Sequence, residues 1–131
     1  GDETESKQMF ETQNTFNFVL LNRYKDGNDR MGFHRDNEPD IRRHSSIAAI
    51  SFGAEREIIF KHEDIISHRH KNSNKEKQLG IKIVKFRLHH GSLLIMRAPT
   101  NETWYHEIPK RANIKHVRVS LTYRNMIVSS S

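Results

Sequence analysis

The stretch FNFVLLNRYKDGNDRMGFH, residues 16–34, decides the fold class of this 131-residue chain. In its first half, every second residue from Phe16 to Tyr24 falls on one face of an extended chain, which is the period of a β-strand. The dipeptide Asp26-Gly27 follows in a polar segment and is typical of a tight turn. We therefore predict that the chain folds back after this turn as the second strand of a β-hairpin.

The same pattern of short alternating runs and turn residues continues along the chain. Further strands are predicted at residues 46–53, 56–62, 80–88, 91–97, 103–108 and 116–124. No stretch holds a helical period over about 12 residues, although residues 5–13 have the pattern of a short helix. The alternation changes phase between Ile83 and Val84, which indicates a β-bulge. About eight strands at regular spacing predict an all-β fold, either a sandwich or a jelly roll.

Length and composition limit the chain to one small domain. A chain of 131 residues, 34% of them hydrophobic, can bury a single core. It has no apolar run of about 18 residues, so we expect no membrane span. Its acidic, polar start does not have the pattern of a signal peptide. Because cysteine is absent, disulfides and thiolate metal sites are excluded.

The charge of the chain favours a polyanionic partner. The net charge is +6 with nine histidines counted as neutral, and such a surplus suits nucleic acid. Many of the basic residues lie in a polar loop within residues 61–80, which we expect to be exposed and mobile. Charge alone does not separate a nucleic-acid-binding protein from a small basic domain that binds nothing.

A dense group of metal-ligating residue types follows the first two predicted strands. His34 and Asp36 are two residues apart, so on an extended chain they point to one face, with backbones about 6–7 Å apart. Two ligands are too few for a stable site, and His106 is the third ligand that we predict, because it lies on another strand. Two histidines and a carboxylate form the ligand set of non-haem Fe(II) oxygenases. The same set binds zinc, so a zinc hydrolase is an open alternative.

The last predicted strand carries charge on one of its faces. Arg118, Ser120, Thr122 and Arg124 share that face, and apolar side chains occupy the other. Two arginines on an inward face would be unfavourable without an anion. They are about 20 Å apart on an ideal strand, and their long side chains suit a small diacid, since the guanidinium pairs bidentately with a carboxylate. The alternative is a solvated charged face.

Taken together, these segments resemble the AlkB family of Fe(II)- and 2-oxoglutarate-dependent dioxygenases. The resemblance runs from about residue 16 to residue 126 and rests on NRYKDGND, GFHRDNE, IAAISFGAER, HHGSLLIM, PTNETWYH and RVSLTYR, which occur in the family's order and spacing. It is closest to the nucleic-acid repair branch and to the small AlkB domains of plant RNA virus polyproteins. It implies a double-stranded β-helix, a form of jelly roll. Residues 1–15 would then be an N-terminal extension and residues 16–131 the AlkB-like domain.

The resemblance also implies the cofactors and their ligands. Fe(II) would be held by His34, Asp36 and His106, with O2 and the cosubstrate 2-oxoglutarate at the metal. The cosubstrate contacts would come from Asn22, Tyr24, Arg118, Ser120 and Arg124. In this set Arg118 matches the arginine that pairs with the distal carboxylate, Arg124 matches one nearer the metal, and Ser120 stands where the family commonly has Asn.

The implied activity is oxidative demethylation of N-methylated bases, of the 1-methyladenine and 3-methylcytosine type, in single-stranded RNA or DNA. Glu38 matches the acidic residue that faces the substrate base. RNA is favoured over DNA by the basic loop, the short N-terminus and the viral likeness. Contacts to the nucleic-acid backbone are predicted for Arg56, Arg69, Lys71, Lys110 and Arg111.

Two other functions stay open at this point. The same metal chemistry would serve a 2-oxoglutarate oxygenase that acts on a protein or a small molecule. A binding module that keeps the fold without turnover is the third reading, and a full triad with both arginines argues against it. We expect a monomer located in the cytoplasm, that of the host if the chain is viral, with the nucleus as an alternative.

Overall fold

The computed structural model describes residues 15–64 and 83–128. Within them the chain forms eight strands and one short helix. These are β1 (Phe18–Tyr24), β2 (Met31–His34), β3 (Ile47–Gly53), β4 (Arg56–His62), β5 (Ile83–Leu88), β6 (Leu93–Met96), α1 (Thr100–Thr103), β7 (Trp104–Ile108) and β8 (Arg118–Arg124). The predicted helix at residues 5–13, most of the predicted basic loop and the phase change next to Ile83 lie outside the described residues or at their limit.

The strands form two four-stranded sheets. The first sheet has the order β1-β8-β3-β6 and the second has the order β2-β7-β4-β5. All pairings are antiparallel. Apart from β4 and β5, consecutive strands lie in opposite sheets, so the chain passes back and forth between the layers. The all-β, jelly-roll prediction is confirmed.

The predicted hairpin between the first two strands is wrong. β1 pairs with β8, and β2 pairs with β7 in the other sheet. The turn between them rests on a distant loop instead: the Gly27 N–H donates to the Ile114 carbonyl at 2.8 Å, and the Arg111 N–H donates to the Gly27 carbonyl at 2.8 Å. Gly27 is needed for this close approach, since a Cβ at this position would lie 1.7 Å from the Arg111 carbonyl oxygen.

The hydrophobic core lies between the sheets and is small. It comprises Tyr24, Ile47, Ile58, Phe60, Leu88, Met96 and Ile108, with Met31, Val84, Leu94 and Trp104 packed against it. The outward face of the first sheet is also apolar, and Leu21, for example, is 61% exposed. Hydrophobicity alone therefore does not distinguish inward from outward positions on β1, because both of its faces carry apolar residues. Among the described residues, no helix has the length and apolarity that a membrane crossing requires.

A substitution at Gly27 tests the role of this turn. Gly27→Ala is expected to lower the free energy of unfolding by about 1–3 kcal/mol, because the new methyl group must displace the Arg111 backbone. Gly32→Ala is the matched control, since a Cβ there meets no atom within 4 Å. Urea unfolding of both variants measures the difference, and equal stabilities would contradict the close approach.

Candidate metal centre

Three of the predicted residues meet at one end of the second sheet. His34, the last residue of β2, is the direct cross-strand partner of His106 on β7, and their ring centroids are 4.3 Å apart. Asp36 follows β2 and is buried. Its carboxylate oxygens lie 3.9 Å from His34 Nε2 and 3.8 Å from His106 Nε2. One ligand atom from each residue lies within 4.8 Å of the others, which is close enough for a single cation.

Local contacts orient these ligands and set their charge. His34 Nδ1 lies 2.9 Å from the Gly32 carbonyl, so a proton on Nδ1 leaves the Nε2 lone pair facing Asp36. Burial, together with the charge of His34, lowers the pKa of His106 to about 4, so this imidazole is neutral at neutral pH and able to bind a metal. Arg124 donates to Asp36 Oδ1 at 2.9 Å, which fixes the carboxylate. The donor set therefore fits Fe(II) or zinc.

A cavity extends from the triad between the two sheets. Its lining includes the predicted charged face of the last strand and the two further residues that the resemblance implied as cosubstrate contacts: Arg118, Ser120, Thr122 and Arg124, with Asn22 and Tyr24. The alternation along the last strand thus predicted the inward face correctly. β8 places this face at the centre of the first sheet, because it pairs with β1 on one side and β3 on the other.

Arg118 lies in this cavity with unsatisfied donors. It is 2% exposed, its Nη2 donates to Ser51 Oγ at 2.9 Å, and its Cζ lies 5.0 Å from the centroid of the Tyr24 ring. Nε and Nη1 have no hydrogen-bond partner within the described part of the chain. Burial lowers the pKa of this guanidinium. Buried donors of this kind suit an anionic ligand, since an unpaired buried charge is costly.

Ser51 is a site residue that sequence reasoning missed. It is buried on the inward face of β3, two residues from Ala49, which lines the cavity. The sequence offered one indication, which is that Ser51 carries a hydroxyl group on a strand face that is otherwise apolar. Its significance depends on the β3–β8 pairing, which places Ser51 opposite Ser120 and within reach of Arg118.

A second, outer cavity adjoins the metal centre. It shares Asp36 with the inner cavity and also contains the exposed Glu38. Arg35 lies on its wall, where it donates to the Glu102 carbonyl and packs against the Tyr105 ring at 5.1 Å. The predicted substrate residue Glu38 therefore lies in a cavity that opens next to the triad.

The predicted contacts to a nucleic-acid backbone have mixed outcomes. The prediction for Arg56 is wrong, because this residue is 1% exposed and its guanidinium donates to backbone carbonyls inside the protein. Arg69 and Lys71 lie outside the described residues. Lys110 is exposed, and Arg111 lies at the surface with its Nη2 2.7 Å from Glu57 Oε1.

The sequence of this chain is similar to one protein family and to several known proteins. Residues 2–124 match the family described as the 2OG-Fe(II) oxygenase superfamily. The chain is 46% identical over 116 residues to DNA oxidative demethylase ALKBH2 of Mus musculus and 44% identical over 118 residues to that of Homo sapiens. It is 35% identical over 115 residues to alpha-ketoglutarate-dependent dioxygenase alkB homolog 3 of Homo sapiens.

These alignments cover most of this chain but a smaller part of each relative. They span 88%, 90% and 88% of this chain, and 46%, 42% and 38% of the respective relatives. Among solved structures, OsALKBH1 matches with a TM-score of 0.56 at 18% identity, over 94% of this chain and 61% of that one. This likeness supports the fold alone.

Metal titration tests the centre directly. Removing a group that merely orients a metal ligand costs about 10–100-fold in affinity, so His106→Ala is expected to weaken Mn(II) binding by at least about 100-fold. Asp36→Asn is expected to act in the same direction, because it removes the only anionic ligand of the triad. His89→Ala is the control, since His89 is exposed. Wild-type Mn(II) affinity in His106→Ala would remove His106 from the centre.

Proposed function

The chain belongs to the 2OG-Fe(II) oxygenase superfamily, and from this premise we propose that it removes N-methyl groups oxidatively from nucleic-acid bases. The observation that carries the proposal is the triad of His34, Asp36 and His106 at the end of a cavity that holds the unpaired donors of Arg118. The relatives named ALKBH2 and ALKBH3 support the AlkB assignment, and the activity of the whole protein is our proposal.

The cofactors follow from the family and fit the residues present. His34, Asp36 and His106 would hold Fe(II), which with O2 and 2-oxoglutarate supplies the oxidation chemistry and yields succinate and CO2. The protein contributes two imidazoles, of which His106 is neutral at neutral pH, and one carboxylate that is already oriented by Arg124. This arrangement keeps the ligands in place without requiring a proton to leave His106.

The inner cavity would bind 2-oxoglutarate through the first sheet. Arg118 has two unpaired buried nitrogens that can pair with the distal carboxylate. Asn22 and Tyr24 lie across from Ser120 and Arg118 in the β1–β8 ladder, so all four side chains reach the same space. Arg124 lies at the metal end, where its contact with Asp36 places it beside the triad.

The outer cavity would receive the methylated base. Methylation at adenine N1 or cytosine N3 leaves the base positively charged, so the carboxylate of Glu38 attracts it and can accept a hydrogen bond from its exocyclic amino group. The hydroxylated methyl group then leaves as formaldehyde and the base is restored. The target base must leave any stack to reach the metal, and a single strand avoids a cost of a few kcal/mol.

The proposal also concerns the type of nucleic acid that carries the base. The net charge of +6 favours a polyanion, and the exposed Lys110 is a candidate phosphate contact. We propose single-stranded nucleic acid, with RNA ahead of DNA, and the concentration of basic residues in the sequence between residues 61 and 80 supports a polyanionic partner. The name of the ALKBH2 relatives refers to DNA. Every RNA oligonucleotide should therefore be tested beside a DNA oligonucleotide of the same sequence.

The cosubstrate site is tested through Arg118. Leaving one partner of a buried charged pair alone costs roughly 2–5 kcal/mol, so Arg118→Ala should raise the 2-oxoglutarate concentration for half-maximal rate by at least about 25-fold. Arg118→Lys should rescue poorly, because a point charge does not match the bidentate fork. Arg87→Gln is the control, since its side chain is 70% exposed. An unchanged 2-oxoglutarate requirement in Arg118→Ala would move the diacid site elsewhere.

The substrate is tested by formaldehyde release from oligonucleotides that carry 1-methyladenine or 3-methylcytosine. Initial rates should be higher on single strands than on matched duplexes, and binding should weaken steeply with salt because phosphate contacts release counterions. Glu38→Gln should lower the rate on these cationic bases more than on neutral N-methylated bases. Consumption of 2-oxoglutarate without formaldehyde from any oligonucleotide would favour a protein or small-molecule substrate, and a preference for duplex DNA would reverse the strand assignment.

A further inference from the structure

Arg56 is a buried charged residue to which the proposed mechanism assigns no role. It begins β4 and is 1% exposed. Its Nη1 donates to the Asp26 carbonyl at 3.2 Å, and its Nη2 donates to the carbonyls of Asp29 at 2.8 Å and Pro109 at 2.9 Å. One guanidinium therefore joins the β1–β2 connection to the segment that follows β7.

The same guanidinium also contacts the inner cavity through Tyr24. Its Cζ lies 5.5 Å from the centroid of the Tyr24 ring, and the Cζ of Arg118 lies 5.0 Å from that centroid. Tyr24, itself buried, thus packs against both cations. Within residues 15–64 and 83–128, neither guanidinium forms an ion pair with a carboxylate, and both lie over the Tyr24 ring, a contact that is favourable for a cation.

We propose that Arg56 is a positioning residue for the 2-oxoglutarate site and acts through Tyr24. The inference rests on the proposed cosubstrate site, in which Arg118 meets the distal carboxylate. Arg118 is held on one side by Ser51 and on its flat face by the Tyr24 ring. Arg56 holds that ring and the chain that follows it, so the unpaired nitrogens of Arg118 stay aimed into the cavity before the ligand arrives. Such preorganisation increases affinity, because less side-chain freedom is lost on binding.

The proposal predicts a specific pattern of ligand selectivity. Only the distal carboxylate of 2-oxoglutarate reaches Arg118, so Arg56 should influence acids that have this group. The acid 2-oxopentanoate has the same five-carbon chain and the same 2-oxo acid end but no distal carboxylate. A general loss of folding would weaken both ligands, whereas loss of positioning weakens the diacid alone.

The test is a thermal-shift titration of Mn(II)-loaded protein with each acid, which reports weak affinities at high ligand concentration. Arg56→Met is expected to weaken 2-oxoglutarate binding by about tenfold, which lies within the range of cation–π contacts, and to leave 2-oxopentanoate and Mn(II) binding near wild-type values. Arg56→Lys keeps the charge but loses the planar fork, so it is expected to lose diacid selectivity in the same direction. If Arg56→Met does not fold, Arg56→Lys alone tests the proposal. Arg87→Gln is the control for removing a positive charge from the same sheet.

The outcomes separate this inference from the function on which it rests. Wild-type diacid selectivity in Arg56→Lys, or equal weakening of both acids in the Arg56 variants, overturns the positioning role. Arg118→Lys, titrated in parallel, should lose diacid affinity in either case. If Arg118→Lys binds 2-oxoglutarate like the wild type, the proposed cosubstrate site itself is wrong.

Discussion

The contact between Arg124 and Asp36 is the interaction on which the arrangement of the site depends. Arg124 belongs to β8 in the first sheet, and Asp36 follows β2 in the second, so their 2.9 Å hydrogen bond joins the two layers at the metal end of the cavity. Both side chains are largely buried. The bond is charge-assisted and therefore strong and directional, and it sets the position of the carboxylate relative to both imidazoles.

The interior of this protein holds buried charged and polar side chains beside its apolar core. Arg56, Arg118 and His106 are buried together with a small apolar core. Arg118 retains unpaired nitrogens among the described residues, and burial lowers the pKa of both arginines. Under the proposed function, the unpaired nitrogens of Arg118 would bind the diacid. Ligands that bind only the folded state stabilise it by mass action, so we expect metal and diacid binding to raise the stability of the fold.

The described part of the structure has two cavities that adjoin the metal centre. The inner cavity lies between the sheets and is lined by residues of both, including the polar inward face of β8. The outer cavity opens beside Asp36, where the β2–β3 connection and α1 meet. Ligands in the two cavities would meet at Asp36, which lines both of them. This chain spans under half of the length of the curated relatives described above.

The sequence by itself determined the fold class, the types of the metal ligands and the inward face of the last strand. These follow from local periodicity, because side chains two residues apart share a face whatever the strand pairs with. Only the tertiary structure decided which strands pair, since Asp26-Gly27 suits a hairpin locally but packs on the loop of Arg111 and Ile114. The same holds for Arg56, whose charge suggested a surface contact. Its role is set by carbonyl groups from distant segments and by Tyr24, and no local pattern in the sequence encodes that convergence.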